Sequence, residues 1–432
     1  MYNAYITRVK NVRPHPNADR LDLVDCFGNT VCVSRGEFAE GGLAVYFPTD
    51  GQLSEEFCQV HNLVRKKDDA GNNIGGYMDP DKRNVKAINL RGEKSDGLVM
   101  PFECLAYTGV DLLTLEEGFC FTTINGQEIC CKYIPRSNRR AAAGSGNRTR
   151  KHKVPVAPLF AEHADTEQLA YNLSAFRPGD EIEITLKMHG TSGRTARLPV
   201  LKGYRRTLLD RLFRRQGTPI YEDGYVSGTR RVVLEDYEGG FYGDNSFREQ
   251  HSKIFEGKLM KGETVYYEIV SFTNTGIPIM GTAKVPKEAQ AEYGKEMTFH
   301  YGLSEGSDMY VYRMTLTTEE GYVVEYTPDL VRYRAEQMGV KCVPVFEKFI
   351  IPADVNAGEY VKEKAEQYYD GADPIGKTHV REGVVVRIVN RPKFNAFKHK
   401  NFLFKQISGI ITEQVADSAA ADTLSEDILA EM

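Results

Sequence analysis

The stretch EIEITLKMHGTS, residues 181–192, combines a strand pattern with a sharp turn and two basic side chains. Its apolar residues recur at every second position as far as Met188, so one face of the strand is apolar. Lys187 and His189 lie on the other face and are followed by Gly190, which permits close approach of a ligand. A strand packed on a core would therefore present a lysine and a histidine together at one site.

The composition is that of an ordinary globular protein, and the chain is long enough for two or three domains. Of the 432 residues, 41% are hydrophobic and 27% are charged. No apolar run approaches the ~18 residues that cross a bilayer, and the N-terminal sequence lacks the apolar segment of a signal peptide. The eight cysteines form no C-x-x-C pair, which favours reduced thiols. We therefore expect a cytoplasmic protein, in the host cytoplasm if a phage encodes it, with no membrane partner.

The formal net charge is −5, so a polyanionic partner would have to bind local basic patches. Residues 135–153 contain seven arginines and lysines and no acid, and residues 201–217 contain six against one acid. The charge runs alone favour solvated surfaces, and the alternative is contact with an RNA backbone.

The first basic patch also marks a domain boundary. Before it, short alternating segments separated by turn signals predict a small antiparallel barrel or sandwich. After it, strand-like and helix-like segments mix, which predicts an α+β domain. We divide the chain into a β domain at 1–134, a basic flexible linker at 135–157 and an α+β domain at 158–432.

Two arginines and a group of strand residues suit a nucleotide site. Arg230 and Arg231 precede a strand and offer forked donors to phosphate. Glu268 alternates into an aromatic strand, where a buried carboxylate needs a partner. Tyr310 and Tyr312, two apart, are expected to share a strand face that stacks on a purine.

The last stretch begins with an acid in front of an apolar strand. This acid, Glu382, is placed to hold a divalent metal through carboxylate oxygen. Lys398 and Lys400 are also two apart and form a clamp for a phosphate. Each of these residues alone is also compatible with an ordinary strand-end or core position.

In this order, the stretches match the motif series of the covalent nucleotidyltransferases. Over residues 180–410 the chain resembles ATP-dependent RNA ligases, and KMHGTS at 187–192 is most similar to the RNA ligase 2 class. In the N-terminal part, PHPNADRL, GLAVYFPTDG and INLRGEKSDGLVMP are similar to an amino-terminal OB domain of bacterial RNA ligases. The resemblance implies an OB-like β-barrel that binds RNA, followed by an α+β adenylyltransferase (ATP-grasp-like ligase) domain with antiparallel sheets.

The resemblance implies that RNA 3′-hydroxyl and 5′-phosphate ends are joined in three steps, with ATP and Mg²⁺ or Mn²⁺ as cofactors. Lys187 would attack the α-phosphorus of ATP, with Gly190 in the nucleotide site, to give lysyl-AMP and pyrophosphate. The AMP would then pass to the RNA 5′-phosphate, and a 3′-hydroxyl would finally displace it.

The same resemblance implies roles for five other residues. His189 would serve the strand-joining steps, and Glu268 would hold the ribose. Glu382 would bind the metal, while Lys398 and Lys400 would contact the α-phosphate.

Two choices of register stay open at this point. Either Arg230 or Arg231 would contact the ribose or the 5′-phosphate. Either Tyr312 or Tyr310 would stack on adenine.

The chain departs from the pattern at Ser192, where the RNA ligase 2 class tends to have Asn, and at Arg313, where relatives usually have Asp. The alternatives within the superfamily are a DNA ligase and a capping-type enzyme, which His189 and the short tail of about 30 residues after Lys400 disfavour. The alternative of another class is a non-catalytic RNA-binding protein with a degenerate transferase domain. The kind of RNA and the oligomeric state stay open.

Overall fold

In the computed structural model of the chain, two units are distinguished by their internal contacts. The first comprises Met1–Arg139 with Lys405–Asp417, and the second comprises Arg140–Phe404 with Ser418–Met432. The structure describes residues 2–71, 73–134, 154–213, 215, 217–237 and 242–417. The basic patch at 135–153, and with it most of the predicted linker, lies outside the described residues.

Short strands dominate the first unit, as its closely spaced turn signals predict. The strands are β1 (Ala4–Arg8), β2 (Lys10–Pro14), β3 (Leu21–Cys26), β4 (Asn29–Ser34), β5 (Leu43–Phe47), β6 (Gly51–Leu53), β7 (Lys66–Lys67), β8 (Asn73–Gly75), β9 (Ala87–Leu90), β10 (Glu93–Asp96), β11 (Leu98–Pro101), β12 (Cys120–Phe121), β13 (Thr123–Ile124), β14 (Gln127–Glu128) and β15 (Cys130–Lys132). The helices are α1 (Glu55–Val60) and the 3₁₀ segments Phe102–Thr108 and Leu112–Thr114.

The core of this unit lies on one face of an antiparallel sheet in the order β11-β5-β1-β12. Ile6 and Phe47 on that sheet belong to the same fully buried cluster as Phe57 of α1. A second sheet, β2-β3-β4, is separate in its hydrogen bonds. Closure of a barrel requires hydrogen bonds between its edge strands. The predicted barrel is therefore not closed in the described ranges of the chain, and the OB-like unit consists of open sheets.

Longer strands and helices form the second unit. The strands are β16 (Glu167–Gln168), β17 (Glu181–Leu186), β18 (Thr191–Arg205), β19 (Thr218–Gly228), β20 (Val233–Leu234), β21 (Glu263–Ser271), β22 (Thr282–Lys284), β23 (Glu296–Thr298), β24 (Ser307–Thr317), β25 (Val323–Glu325), β26 (Lys341–Cys342), β27 (Val345–Ile350), β28 (Gly383–Ile388) and β29 (Asn395–Lys400). The α-helices are α2 (Leu208–Leu212), α3 (Ser246–Lys253), α4 (Gln290–Tyr293), α5 (Pro328–Met338) and α6 (Ala357–Glu366), followed by α7 (Phe402–Asp417), of which Lys405–Asp417 belong to the first unit. The 3₁₀ segments are Leu169–Tyr171, Leu173–Ala175 and Lys287–Ala289.

Local sequence signals set the helix ends. The hydroxyl of Thr327 accepts a hydrogen bond from the Leu330 N–H at the start of α5, with Pro328 in the first turn. The helix ends at Gly339, whose φ of 71° is a left-handed conformation that glycine adopts without strain. None of the helices in the described segments is long and apolar enough to span a membrane.

Two mainly antiparallel sheets organise the second unit, in the orders β16-β29-β28-β17-β27 and β20-β19-β18-β21-β24-β25. The apolar face of β17 packs with Val384 and Val386 of β28 and with Val361 of α6. The chain passes from the first sheet to the second between β17 and β18. The predicted α+β class with antiparallel sheets is confirmed, and the KMHG turn lies where the two sheets meet.

Candidate active site

The turn that carries Lys187 is held by backbone hydrogen bonds at both ends. The Lys187 N–H donates to the carbonyl of Gly383 at 3.0 Å. The His189 N–H donates to the hydroxyl of Tyr301 at 2.7 Å. Both side chains therefore leave a backbone whose position is fixed by distant parts of the chain.

Gly190 is required because the turn lies directly against β21. A Cβ at this position would stand 2.4 Å from the carbonyl oxygen of Ile269 and 2.9 Å from Cγ of Glu268. Two residues later, Ser192 pairs with Glu268 across the sheet, and its hydroxyl donates to Oε2 at 3.3 Å. The glycine thus brings the lysine turn against the strand that carries Glu268.

Glu382 is the centre of a cluster of basic side chains. Its Oε1 lies 2.9 Å from Nζ of Lys187 and 3.3 Å from Nζ of Lys400, and its Oε2 lies 3.4 Å from Nδ1 of His189. Only 4% of the Glu382 side chain is exposed. Antiparallel pairing of Gly383 with Lys400 brings the glutamate and the second lysine together. The structure thus brings together four of the predicted site residues.

The charges of the cluster determine its protonation. Burial alone would raise the pKa of Glu382, but Lys187, Lys400 and His189 hold that pKa well below its usual range. Burial lowers the pKa of His189, although the carboxylate opposes this shift. At neutral pH the cluster therefore contains an ionised glutamate and a neutral histidine, whose Nδ1 carries the hydrogen that faces the carboxylate.

Lys398 is near enough to this cluster to interact with its charges, and its pKa is the most strongly shifted among the lysines described. Burial lowers its pKa to about 7, and the positive charges of Lys400, Lys187 and Arg230 act in the same direction. The carboxylate of Glu382 only partly offsets them. A lysine of this kind changes its charge near neutral pH, so a bound phosphate would favour its protonated form.

This pKa predicts how stability depends on pH. In an unfolded chain the pKa of a lysine is about 10.4, so between pH 7 and that value the unfolded state binds more protons. Stability should therefore rise with pH across this interval, with Lys398 contributing up to about 1.4 kcal/mol per pH unit. We expect the unfolding free energy of Lys398→Met, measured by urea titration at pH values from 7 to 9.5, to rise less with pH than that of the wild type. The exposed control Lys393→Met should keep the rise of the wild type, and equal slopes in the two variants would refute the assignment.

A cleft of about 1000 Å³, including its open mouth, lies beside the cluster. It is lined by four residues that the sequence analysis selected: Lys187, Arg230, Glu268 and Tyr312. A lysine, a carboxylate and an aromatic ring around one cleft suit the phosphate, ribose and base of a nucleotide.

Tyr310 and Tyr312 do not share a strand face, contrary to the prediction. The register of β24 against β21 skips Tyr312, which is therefore the extra residue of a β-bulge. Tyr312 lines the cleft, whereas Tyr310 is buried in a hydrophobic cluster with Leu186 and Met188. The hydroxyl of Tyr310 donates to Asp308 at 3.0 Å. The structure therefore favours Tyr312 for contact with a base.

Arg230 and Arg231 contact the same carboxylate from different positions. Nη2 of Arg230 lies 2.5 Å from Oδ1 of Asp165, and Nη2 of Arg231 lies 3.4 Å from Oδ2. Their side chains are 15% and 36% exposed, respectively. Arg230 is the member of the pair that lines the cleft.

Four further residues of the cleft with an imidazole or a charged side chain were missed by the sequence analysis: His163, Glu183, Arg332 and Arg387. Glu183 is buried and pairs with Arg332 at 2.8 Å. Glu183 in β17 and Lys187 just after it are four residues apart, so the alternation of the strand places them on the same face. The sequence therefore contained a signal for Glu183. His163 lies in a segment without regular periodicity, and nothing in the neighbouring sequence marks it.

Arg248 of α3 was also missed, although it supports the start of β18. Its Nη1 donates to the carbonyl of Ser192 at 2.9 Å, and its Nη2 donates to Oγ1 of Thr191 at 2.5 Å. The side chain is almost fully buried. It therefore fixes the two residues that follow Gly190 in the turn.

The described residues contain no group of three or more His, Cys, Asp or Glu side chains that could hold a metal by themselves. Glu382 is the carboxylate at the lysine cluster, and two cations already surround it. Magnesium sites commonly consist of one or two carboxylates with water and substrate phosphates. The residues therefore fit a metal that arrives with a nucleotide, and they do not fit an all-protein metal site.

Comparison with known proteins extends this picture to the whole chain. A family model described as an OB-fold domain matches residues 3–102. No curated protein sequence matches the chain. The solved structure of Naegleria gruberi RNA ligase with PPi is 18% identical, covers 96% of this chain and 99% of that chain, and has a TM-score of 0.57.

Two further structures of mutants of that ligase show the same likeness. One contains ATP and Mn and the other AMP and Mn, and their TM-scores are 0.55 and 0.56. Both are 16% identical and cover 93% of this chain and 98% of theirs. The chain thus has the fold of Naegleria gruberi RNA ligase, with an OB-fold domain at its N-terminal end.

Proposed function

We propose that this protein is an ATP-dependent RNA ligase that joins 3′-hydroxyl and 5′-phosphate ends through lysyl-AMP on Lys187. The observation that carries the proposal is the contact of Lys187 with Glu382 at the wall of a cleft, beside Lys398 and Lys400, in a fold shared with an RNA ligase. A single lysine would be an ordinary surface feature. A lysine in a buried polar cluster next to a nucleotide-sized cleft is a candidate nucleophile.

In the first step, the deprotonated Nζ of Lys187 attacks the α-phosphorus of ATP. The N–P bond forms as the bond to pyrophosphate breaks, and the lysine proton passes to solvent. Lys398 and Lys400 lie close enough to the cluster to stabilise the negative charge that develops on the α-phosphate. Because both side chains are already in place, little reorganisation of the protein accompanies the step.

In the later steps, AMP passes from Lys187 to the RNA 5′-phosphate, and the RNA 3′-hydroxyl then attacks that phosphate as AMP departs. His189 is neutral and oriented by Glu382, so its role is to position and polarise groups during these transfers. A divalent ion, Mg²⁺ or Mn²⁺, would be held by Glu382 together with phosphate and water. When bound, it would neutralise phosphate charge.

The proposal places adenosine against Glu268 and Tyr312. Base stacking on an aromatic side chain contributes about 1–3 kcal/mol. We therefore expect Tyr312→Leu to weaken ATP binding by roughly fivefold to a hundredfold. Tyr310→Leu is the matched control, because Tyr310 is buried and, unlike Tyr312, does not itself line the cleft. It should lower the melting temperature and leave the ATP affinity within about twofold in calorimetric titrations. Equal losses of affinity in the two variants would contradict the placement of the base.

The reaction itself is tested by joining RNA strands. A labelled strand with a 5′-phosphate and an acceptor with a 3′-hydroxyl are incubated with the protein, ATP and Mg²⁺ as a nicked duplex, on a splint or unpaired. The proposal requires a longer product in at least one arrangement, and parallel DNA strands report whether DNA is accepted. RNA binding without product or covalent AMP would favour the non-catalytic alternative. Joining of DNA alone, or transfer of GMP to an RNA end, would favour a DNA ligase or a capping enzyme.

We propose that the basic stretch 201–217 contacts the RNA backbone; the part of it that the structure describes includes the end of β18 in the long β18–β19 hairpin. Arg205 and Arg206 are exposed there. Replacing both by Glu should reduce the slope of log affinity against log salt by about 0.7–0.9 for each phosphate that the protein no longer neutralises. Lys284→Glu with Lys287→Glu makes the same charge change on exposed positions elsewhere and should leave the slope unchanged. If the two Arg→Glu substitutions leave the slope unchanged, this surface does not contact the RNA backbone.

The cytoplasmic location stays a prediction from the sequence.

A further inference from the structure

His163 lies at the wall of the cleft, immediately beside the proposed base-binding ring. Its ring centroid is 5.2 Å from that of Tyr312 and 5.1 Å from that of Tyr266. Its backbone N–H donates to the carbonyl of Arg230 at 3.2 Å. The loop that carries His163 is thus attached to one cleft residue by its backbone and to another by its side chain.

Arg313 fixes the tautomer of this histidine. Nη1 of Arg313 lies 3.0 Å from Nδ1 of His163, and a guanidinium group can only donate hydrogen bonds. Nδ1 is therefore the acceptor, and the single hydrogen of the neutral imidazole is on Nε2. Arg313 cannot easily turn away, because it forms a buried ion pair with Glu325 and stacks against Tyr266 at 4.6 Å.

The surroundings keep His163 neutral. Burial lowers the pKa of its imidazole well below the usual range, and the positive charges of Arg313, Arg230 and Arg194 act in the same direction. In the part of the chain that the structure describes, Nε2 has no protein hydrogen-bond partner. His163 therefore offers one N–H donor with a fixed tautomer, on a residue that lines the cleft.

We propose that His163 recognises the purine of the nucleotide by donating Nε2–H to an acceptor nitrogen of the ring, with Arg313 as the positioning residue. The inference rests on the proposed function only in placing the base on Tyr312. Adenine has three such ring acceptors, at N1, N3 and N7. Stacking on Tyr312 accepts any base, because every base has a π-face, so a fixed donor adds the selectivity that stacking lacks.

The test measures binding of ATP and of its 1-deaza, 3-deaza and 7-deaza analogues to the wild-type chain and to His163→Phe. Each analogue replaces one ring acceptor by C–H. In the wild type, one analogue should bind roughly fivefold to tenfold more weakly than ATP, as expected for loss of one hydrogen bond. In His163→Phe, which keeps an aromatic ring, ATP should bind like that analogue and the analogue should lose nothing further.

His163→Gln restores an N–H donor and should recover part of the discrimination, whereas a purely structural role would predict no dependence on the analogue. Equal binding of all four nucleotides to the wild type, or an unchanged difference in His163→Phe, would overturn the inference. Melting temperatures verify that the variants fold. Covalent AMP is measured in parallel on the wild type: discrimination among the analogues without covalent AMP would refute the ligase chemistry while upholding base recognition by His163.

Discussion

Replacing Lys187 by arginine should reduce RNA joining from ATP by roughly a thousandfold or more and abolish covalent labelling by AMP. Arginine keeps a cation beside Glu382, so the ion pair at 2.9 Å has a substitute and the fold should persist. It cannot supply a neutral amine, because a guanidinium group stays protonated in proteins. The loss should therefore lie in the chemistry, with ATP affinity and melting temperature close to those of the wild type.

An adenylylated RNA distinguishes the first step of the reaction from the later ones. RNA that already carries AMP on its 5′-phosphate bypasses the lysine, so Lys187→Arg should still join it at a measurable rate. The exposed control Lys393→Arg should leave both reactions unchanged. If Lys187→Arg were labelled by AMP as strongly as the wild type, the assignment of the nucleophile would be wrong. If it lost both reactions while still binding ATP, a role confined to the first step would be wrong.

The second large effect is expected at Glu382, because the two lysines beside it would be left without their common carboxylate. Glu382→Gln keeps the size of the side chain and removes its charge. We expect the free energy of unfolding to fall by about 3 kcal/mol, which is the lower end of the cost of breaking a buried ion pair. The lower end applies because solvent screens the partly exposed ends of Lys187 and Lys400. Joining from ATP should fall by about a hundredfold or more, because Glu382 also holds the proposed metal.

The pH dependence gives this prediction a definite sign. The folded pKa of Glu382 is depressed, so its contribution to stability is present above the unfolded value of about 4.3 and is lost as the pH falls below it. The difference in unfolding free energy between wild type and Glu382→Gln should therefore be full at pH 7 and shrink below about pH 4. Glu363→Gln changes an exposed carboxylate of α6 and should show neither effect. A constant difference across this range would show that packing, and not charge, is responsible.

Much of the site could be predicted because it depends on local patterns. Period-two alternation in β17 places Lys187 on the polar side of a strand whose apolar side is core. The short spacing between the acid before β28 and the lysines of β29 makes an antiparallel hairpin, which pairs Gly383 with Lys400. Local periodicity and an ordered motif series were therefore enough to identify the cluster around Glu382.

The remaining features depend on long-range register, which a single sequence does not show. The β-bulge at Tyr312 is a property of how β24 pairs with β21, and it separates two tyrosines that simple alternation places together. His163 reaches the cleft through contacts with Arg313, which is 150 residues away in the chain. The separation of the N-terminal sheets is likewise a matter of edge pairing and not of local strand propensity.

Whether Lys187 carries AMP is measured most directly by mass spectrometry of peptides from the wild-type protein after incubation with ATP and Mg²⁺. We predict a mass increase of one adenylyl group on the peptide that contains Lys187. The group should be linked through an acid-labile phosphoramidate, and added pyrophosphate should remove it. An adenylyl group on another residue, or none while ATP remains bound at the cleft and pyrophosphatase is present, would contradict the proposed mechanism.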